Sequence, residues 1–362
     1  MLFRSELVFR YGRPEPLSGT PIMDDVSVAM CTYNGAAYIQ EQLDSISRQT
    51  LTPVELVVMD DGSSDGTVSI VESFALAAKF PVVIHTNDVN IGFRENFIRA
   101  ACACRGKYIA FSDQDDVWNP EKLEKSVAAL KSTDSLLCSH SYEVVDRDLR
   151  YISKGGHPQD IVYPPHVLKP WGCFPGFTEV FSRELIELID PRKRPMDNLV
   201  LTERLAHDRW VYMLSASLGN TVVISDRLAL YRQHDHNVYG STTLTSAMKN
   251  AFARLLDGEP ASIYLFYEEN SKVMADLLSE ISVVGPENYR LSAKEGAAFW
   301  ARTAEIFGLR ADVYSSRNSL EAFRLCIKAL ANRAYAANPG AGAQGLLRDL
   351  ISGVLLRPTF PG

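Results

Sequence analysis

Residues 26–67, "VSVAMCTYNGAAYIQEQLDSISRQTLTPVELVVMDDGSSDGT", decide the fold. The first nine, VSVAMCTYN, are a short apolar run that stops at polar residues, as a buried strand does. In AAYIQEQLDSISRQ the helical period puts Tyr38, Ile39, Leu43 and Ile46 on one stripe. VELVVMDDGSSDGT then reads as a second strand entering a turn-rich loop, where Ser64 or Asp65 stands to cap the next helix. That helix carries Val68, Val71, Phe74 and Ala75 on one face.

The alternation continues outward. PVVIHTN is a third strand, NIGFRENFIRAACAC a loop and helix, and KYIAFSD a fourth strand. NPEKLEKSVAALKS opens with Asn119 as N-cap, Pro120 at the first helical position and Glu121 in the first turn. Strands and helices alternating at this spacing predict an α/β fold, a parallel sheet covered on both faces. Such sheets bind ligands at the carboxyl ends of their strands. The polar clusters TYNG, DDGSSDG and SDQDD all fall at strand ends, so the reading predicts that they meet on one rim.

Farther along, SLLCSHSYEVVD and TVVISDRLALYRQH read as strands of mixed direction. WGCFPGFTEVFSREL reads as a Gly/Pro/aromatic loop leading into a helix. The expected division is a loose leader over 1–24, with Met23 as an alternative start, an α/β domain over 25–243 and a helical extension over 244–362. Within the extension NPGAGAQG is a flexible break. The apolar ending LLRDLISGVLL is expected to dock on the body rather than lie on a membrane surface.

Composition narrows the class. The chain has 362 residues, 46% hydrophobic and 22% charged, with net charge −7. That is ordinary globular composition with no basic footprint for nucleic acid. Six cysteines without a CxxC pair read as reduced thiols. Neither a signal peptide nor an apolar run of membrane-spanning length is expected.

The strand-end clusters carry the chemistry. Asp113, Asp115 and Asp116 crowd three like charges into four positions, which raises their pKa values unless something positive sits among them. Mg²⁺ or Mn²⁺ fits, since either takes one or two carboxylates plus substrate phosphates. The plainer alternative is a solvated acidic turn before a helix. Asp60 or Asp61 can accept from a base N–H, and Gly62 lets backbone approach a ligand; alone, the loop also reads as a self-bonded turn. Asp208 opens a predicted helix, DRWVYMLSASLG, where it serves as a cap or a general base. YRQHDHN gathers Arg232, His234 and His236, suited to a diphosphate or a metal, or simply a polar loop.

Taken in order, VSVAMCTYNGAAYIQEQLDSISRQT, VELVVMDDGSSDGT, NIGFRENF, YIAFSDQDDVWNPEKLEK, GCFPGFTEVFSREL, HDRWVYMLSASLG and LALYRQHDHN resemble the family 2 glycosyltransferases of the GT-A fold. The branch they most resemble is the rhamnosyltransferase-like one of bacterial cell-surface polysaccharide synthesis. The resemblance spans roughly residues 24–240. It implies a Rossmann-like, mixed but mostly parallel sheet flanked by helices. It implies that Thr32, Tyr33 and Asn34 line a nucleotide pocket and that Asp60 and Asp61 contact the base. Asp113 would face ribose and metal, Asp115 would be the main metal ligand, and His234 would ligate the metal or touch the diphosphate. Arg232 would join His234 at the diphosphate, and Asp116 would support the neighbouring acids. Asp208 matches the catalytic base, expected near its ordinary pKa. Gly172, Cys173 and Phe174 would shape the acceptor side. The family often has Glu-Asp where this chain has His207-Asp208, which leaves the role of His207 open. The implied partners are a dTDP or UDP sugar and a glycan or lipid-linked acceptor, at the cytoplasmic membrane's inner face. The rivals are a haloacid dehalogenase-type phosphatase, with Asp113 as nucleophile and Asp115 as acid/base, and a non-catalytic sugar-nucleotide-binding protein.

Overall fold

A computed structural model describes residues 25–197, 200–234, 260–336 and 338–355. The expected leader and His236 lie outside them. The chain begins β1 (Val26–Thr32), α1 (Ile39–Ser47), β2 (Glu55–Asp60), α2 (Thr67–Ala77), β3 (Val82–Thr86), α3 (Phe93–Ala103) and β4 (Tyr108–Ser112). Strands β3, β2, β1 and β4 lie side by side, all parallel. Alternate residues of β1 face opposite sides, as the period of two requires. Val28 and Met30 pack with Ile39, Leu43 and Ile46 of α1, while Ala29 and Cys31 pack with Phe97, Ile98 and Ala101 of α3. Of the predicted stripe on α1, Tyr38 stays out of this core; it precedes the helix and stacks on His234.

The second half is mixed in direction, although the two strands read from the sequence, 135–145 and 220–232, run parallel to each other and the antiparallel members are shorter strands beside them. After β5 (Val117–Trp118) and α4 (Lys122–Ser132) come β6 (Ser135–Val145), β7 (Tyr151–Gly155), β8 (Ile161–Tyr163) and β9 (Glu179–Ser182). A single turn α5 (Glu184–Glu187), helix α6 (His207–Leu218) and β10 (Asn220–Arg232) follow. The sheet order β3-β2-β1-β4-β9-β6-β10-β5 makes a mixed α/β sheet flanked by helices. Here the structure corrects one expectation. Gly176–Leu185 is not simply a loop into a helix: β9 inserts between β4 and β6, antiparallel to both. Four residues carry too little period to announce a strand.

Helix starts shift slightly. α4 begins at Lys122, but Asn119 Oδ1 still accepts from the Glu121 N–H at 3.0 Å. The N-cap of α2 is Gly66 rather than the expected Ser64 or Asp65, and Asp65, one position earlier, accepts from the Thr67 N–H at 3.0 Å.

Two long helices, Pro260–Val284 and Glu287–Ser315, form a hairpin. Met274, Leu278, Ala293 and Trp300 enter the same core as Trp210 and Leu214 of α6. The Trp300 Nε1–H donates to Ser217 Oγ at 2.8 Å. The segment Gly342–Leu355 docks on this hairpin. Val354 packs with Val313, Ala322 and Cys326, and Arg310 grips buried Asp349 with Nε–Oδ2 2.7 Å and Nη2–Oδ1 2.9 Å.

Candidate active site

The parallel arrangement sends β1, β2 and β4 to one rim, and side chains stitch their ends together. Thr32 Oγ1 donates to Asp60 Oδ1 at 2.7 Å. The Asn34 N–H donates to Ser63 Oγ, and Asn34 Oδ1 accepts from the Ser64 N–H, each at 2.9 Å. Gln114 clamps the other side: its Oε1 accepts from the Tyr33 N–H at 2.8 Å, and its Nε2–H donates to the Tyr33 carbonyl at 3.0 Å. The three polar clusters therefore form one continuous rim. Tyr33 leaves its ring half in solvent.

The two acids of the β2 loop have different duties. The Asp61 carboxylate accepts from Asn87 Nδ2 and from the Ile91 and Gly92 N–H groups, all at 2.9 Å. It spends its acceptors on shaping the loop between β3 and α3. Asp60 holds its own turn: Oδ1 accepts from Thr32 Oγ1 at 2.7 Å and Ser63 Oγ at 2.6 Å, and Oδ2 accepts from the Ser63 N–H at 2.8 Å. Gly62, at φ +79°, sits in a conformation that a side chain would strain.

Asp113, Asp115 and Asp116 sit where β4 ends. Burial, then Asp115 and Asp208, push the Asp113 carboxyl up to about 7. Asp116 is fully buried, and burial, then Asp115 and Asp113, raise its pKa well above the usual carboxylate range; its Oδ1 accepts from the Arg232 N–H at 3.2 Å, while Oδ2 has no partner among the described residues. Lys122 lies below, its Nζ donating to the Phe177 carbonyl at 2.7 Å and resting 3.4 Å from the Trp118 ring centroid. Burial pushes the Lys122 pKa well down, while Asp116 and Asp113 raise it.

Arg232 supports the acid loop from within. Its side chain is buried; Nε–H donates to the Asp115 carbonyl at 2.8 Å, and the guanidinium reaches the Arg147 carbonyl and the Glu41 carboxylate. That geometry makes it a brace for the acid loop, where the sequence suggested a diphosphate contact. His234 stacks on Tyr38 with centroids 4.5 Å apart and places Nε2 2.8 Å from Asp115 Oδ2. Two ligand atoms on adjacent corners of an octahedral ion, with bonds of about 2.1 Å, stand roughly 3 Å apart. The contact here is a hydrogen bond, and its length is also compatible with two adjacent ligand atoms; Asp115 and His234, with Asp113, are the residues that would hold Mg²⁺ or Mn²⁺. Among the described residues no group of three or more His, Cys, Asp or Glu side chains makes a metal cage. Such an ion would need substrate oxygens as well, the usual manner of Mg²⁺.

Across from the acids, α6 begins with His207 and Asp208. Asp208 is not the N-cap; Ala206 is. Its Oδ1 accepts from the Arg209 N–H at 2.7 Å. Loss of water raises the Asp208 pKa, with Arg209 holding it down and Asp197 raising it. The expectation of an ordinary pKa is thus corrected: burial outweighs the neighbouring cations. His207 is wedged between Phe97, stacked at 3.9 Å, and Phe111, edge-on at 4.6 Å. Burial, then Arg194 and Arg94, push it down to about 3, so it is a neutral wedge.

On the acceptor side, the Phe174 ring meets Tyr212 at 5.1 Å and His157 at 5.3 Å. A Cβ on Gly172 would lie 2.3 Å from Tyr212 Oη, so only glycine fits there. Cys173 is exposed and within electrostatic reach of Arg209 and Asp208. Sequence reasoning missed three contributors. Gln114 and Asn87 hold the rim, and Glu179 of β9 is fully buried with both carboxyl oxygens unpartnered, its pKa driven up by burial and by Asp208. Glu179 had no signal, because its strand went unseen.

Residues 27–187 match the family described as Glycosyl transferase family 2. The dTDP-rhamnosyl transferase RfbG of Shigella flexneri is 29% identical over 225 residues, 59% of this chain and 74% of that one. An uncharacterized protein of Mycobacterium tuberculosis is 28% identical over 223 residues, 60% of this chain and 61% of its own length. The chain thus spans about three fifths of the mycobacterial relative it matches. Among solved structures, Staphylococcus aureus TarS 1–349 in complex with UDP has a TM-score of 0.49 at 19% identity, covering 85% of this chain and 88% of that one. Among the described residues no helix is long and apolar enough to cross a membrane.

Proposed function

We propose that this chain, whose residues 27–187 match Glycosyl transferase family 2, moves a sugar from a nucleoside-diphosphate sugar to a glycan or lipid-linked hydroxyl, with inversion. The observation that carries this reading is the opposition of two acidic groups across one rim. Asp113 and Asp115 end β4, and Asp208 begins α6 within electrostatic reach of Asp113. One group suits the donor's diphosphate and the other the acceptor's hydroxyl.

In this reading Thr32, Tyr33 and Asn34 line the nucleotide pocket and Asp60 or Asp61 takes the base contact, each carboxylate already accepting three hydrogen bonds within the rim. Asp115, Asp113 and His234 hold Mg²⁺ or Mn²⁺, which when bound neutralises charge on the diphosphate leaving group. Arg232 keeps the acid loop in place. Asp208 accepts the proton of the acceptor hydroxyl as its oxygen bonds to the anomeric carbon. The bond from that carbon to the diphosphate oxygen breaks, and the nucleoside diphosphate departs with the electron pair. A raised pKa makes Asp208 a stronger proton acceptor once ionised, and Arg209 keeps it from rising too far. Gly172, Cys173 and Phe174 border the acceptor. The donor to try first is dTDP-rhamnose, after the Shigella flexneri relative, with UDP sugars beside it.

The test pairs a thermal-shift screen of these nucleotides in Mn²⁺ with turnover of Asp208→Asn. A ligand bound only by the folded chain raises its Tm. The variant should keep the donor-induced shift and lose roughly 10²–10⁴-fold in turnover, the usual worth of a positioned base. Undiminished turnover would remove Asp208 from the mechanism. A trapped phospho-aspartate at Asp113 would replace the whole reading with a phosphatase.

A further inference from the structure

The C-terminal helix Ser319–Ala331 is amphipathic in an unusual sense. Its inner face is small, Ala322, Cys326 and Ala329 being buried against the hairpin. Its outer face is large and apolar: Leu320, Phe323, Ile327 and Leu330 stand 46–62% exposed. A helix that merely faced water would carry the reverse pattern. The neighbouring segment repeats it. Leu347, Ile351 and Leu355, four residues apart, are exposed, while Val354 and Leu350 pack back onto Val313 and Cys326.

Charge around this surface is one-sided. Between Ser315 and Leu355 the cations are Arg317, Arg324, Lys328, Arg333 and Arg348. The acids are Glu321 and Asp349, and Asp349 is buried on Arg310. The chain as a whole carries net charge −7, so this is a basic island on an acidic protein. Arg324 and Lys328 are exposed and follow the apolar positions around the helix. Large apolar side chains rimmed by cations are what a helix needs to lie in the headgroup layer of an anionic bilayer. A second copy of the chain meets the opposite condition, since like-charged basic rims would face one another in a two-fold contact.

We propose that Ser319–Ala331 and Gly342–Leu355 form a docking surface for an anionic phospholipid membrane, with Leu320, Phe323, Ile327, Leu330, Leu347 and Ile351 entering the headgroup layer. The Arg310–Asp349 ion pair, to which Tyr264, Tyr314 and Tyr335 hydroxyls contribute hydrogen bonds, holds the second segment in place. The inference does not depend on the transferase reading.

The experiment is co-sedimentation of the full chain with phosphatidylglycerol/phosphatidylcholine vesicles and with phosphatidylcholine alone. Binding is expected on the anionic vesicles and should weaken as salt rises. Arg324→Glu/Lys328→Glu should cut partitioning at least 25-fold, about fivefold for each cation removed, and Phe323→Ser/Ile327→Ser should abolish it. Both pairs lie on the surface, and an unchanged Tm in solution confirms that they fold. Three results overturn the proposal. The wild-type chain stays in the supernatant; the charge-reversed variant sediments as well as wild type; or Phe323→Ser/Ile327→Ser dissociates a dimer and leaves vesicle binding intact.

Discussion

His207 should make the protein acid-sensitive in a window set by its own burial. The folded imidazole titrates at about 3, and a free histidine at about 6.5. A depressed folded pKa means the stability it allows is fully present above 6.5 and is lost as pH falls toward 3. Below 6.5 the unfolded chain takes a proton that the folded chain refuses, which costs about 1.4 kcal/mol per pH unit. At pH 5 the loss is about 2 kcal/mol. The site acids act in the other direction. Asp113, raised to about 7, is protonated on folding between roughly pH 7 and 4, so it adds stability as pH falls through that range. The wild-type curve therefore mixes both signs, and the difference from His207→Gln isolates the imidazole. Urea denaturation of both proteins from pH 7 to 5 should show wild type losing about 2 kcal/mol more than the variant. A difference under about 0.5 kcal/mol would refute the buried neutral imidazole.

Gly176→Ala would place a Cβ 2.6 Å from His207 Nε2 and 3.5 Å from Asp208 Cβ. The ring is trapped between Phe97 and Phe111 and cannot yield. Turnover should therefore fall about 10²-fold, with the donor-induced thermal shift retained, because displacing a reacting group by about 1 Å costs that much. Glu179→Met replaces a buried, unpartnered carboxyl with an apolar side chain of similar length. Chemical denaturation should register a gain of about 1–3 kcal/mol; a loss would mean that Glu179 has a partner. Asp349→Ala strands the buried Arg310 and should cost about 3–5 kcal/mol. Limited proteolysis should then cut within 342–355 before the rest of the chain, and equal resistance would deny the clamp.

Much of the site is legible because a βαβ succession carries its own geometry. Once the apolar runs 26–32, 55–60 and 108–112 are read as parallel strands, their polar ends must share a rim. Thr32, Asn34, Asp60 and Asp113 accordingly meet there. The turn bonds of Asn119 and Asp65 are equally local, each side chain accepting from the N–H two residues on, although the N-caps themselves are Glu121 and Gly66. What stayed hidden depends on contacts between distant positions. β9 is four residues held by β4 and β6, and its register with them leaves Glu179 sealed near Asp208. Gln114 clamps Tyr33 across 81 residues, and no spacing in the chain announces such a pair.

Local sequence dictates the alternation of strands and helices and the polar clusters that share one rim. Hydrophobic period and turn chemistry act over a few residues, and they were enough for that. Only the tertiary structure decided which polar groups are spent and which are kept. Asp61 shapes a loop, Arg232 braces the acid turn, and Asp208 loses water until its pKa rises. Hydrogen-bond partners and desolvation are properties of the packed chain, and they assign different work to identical side chains.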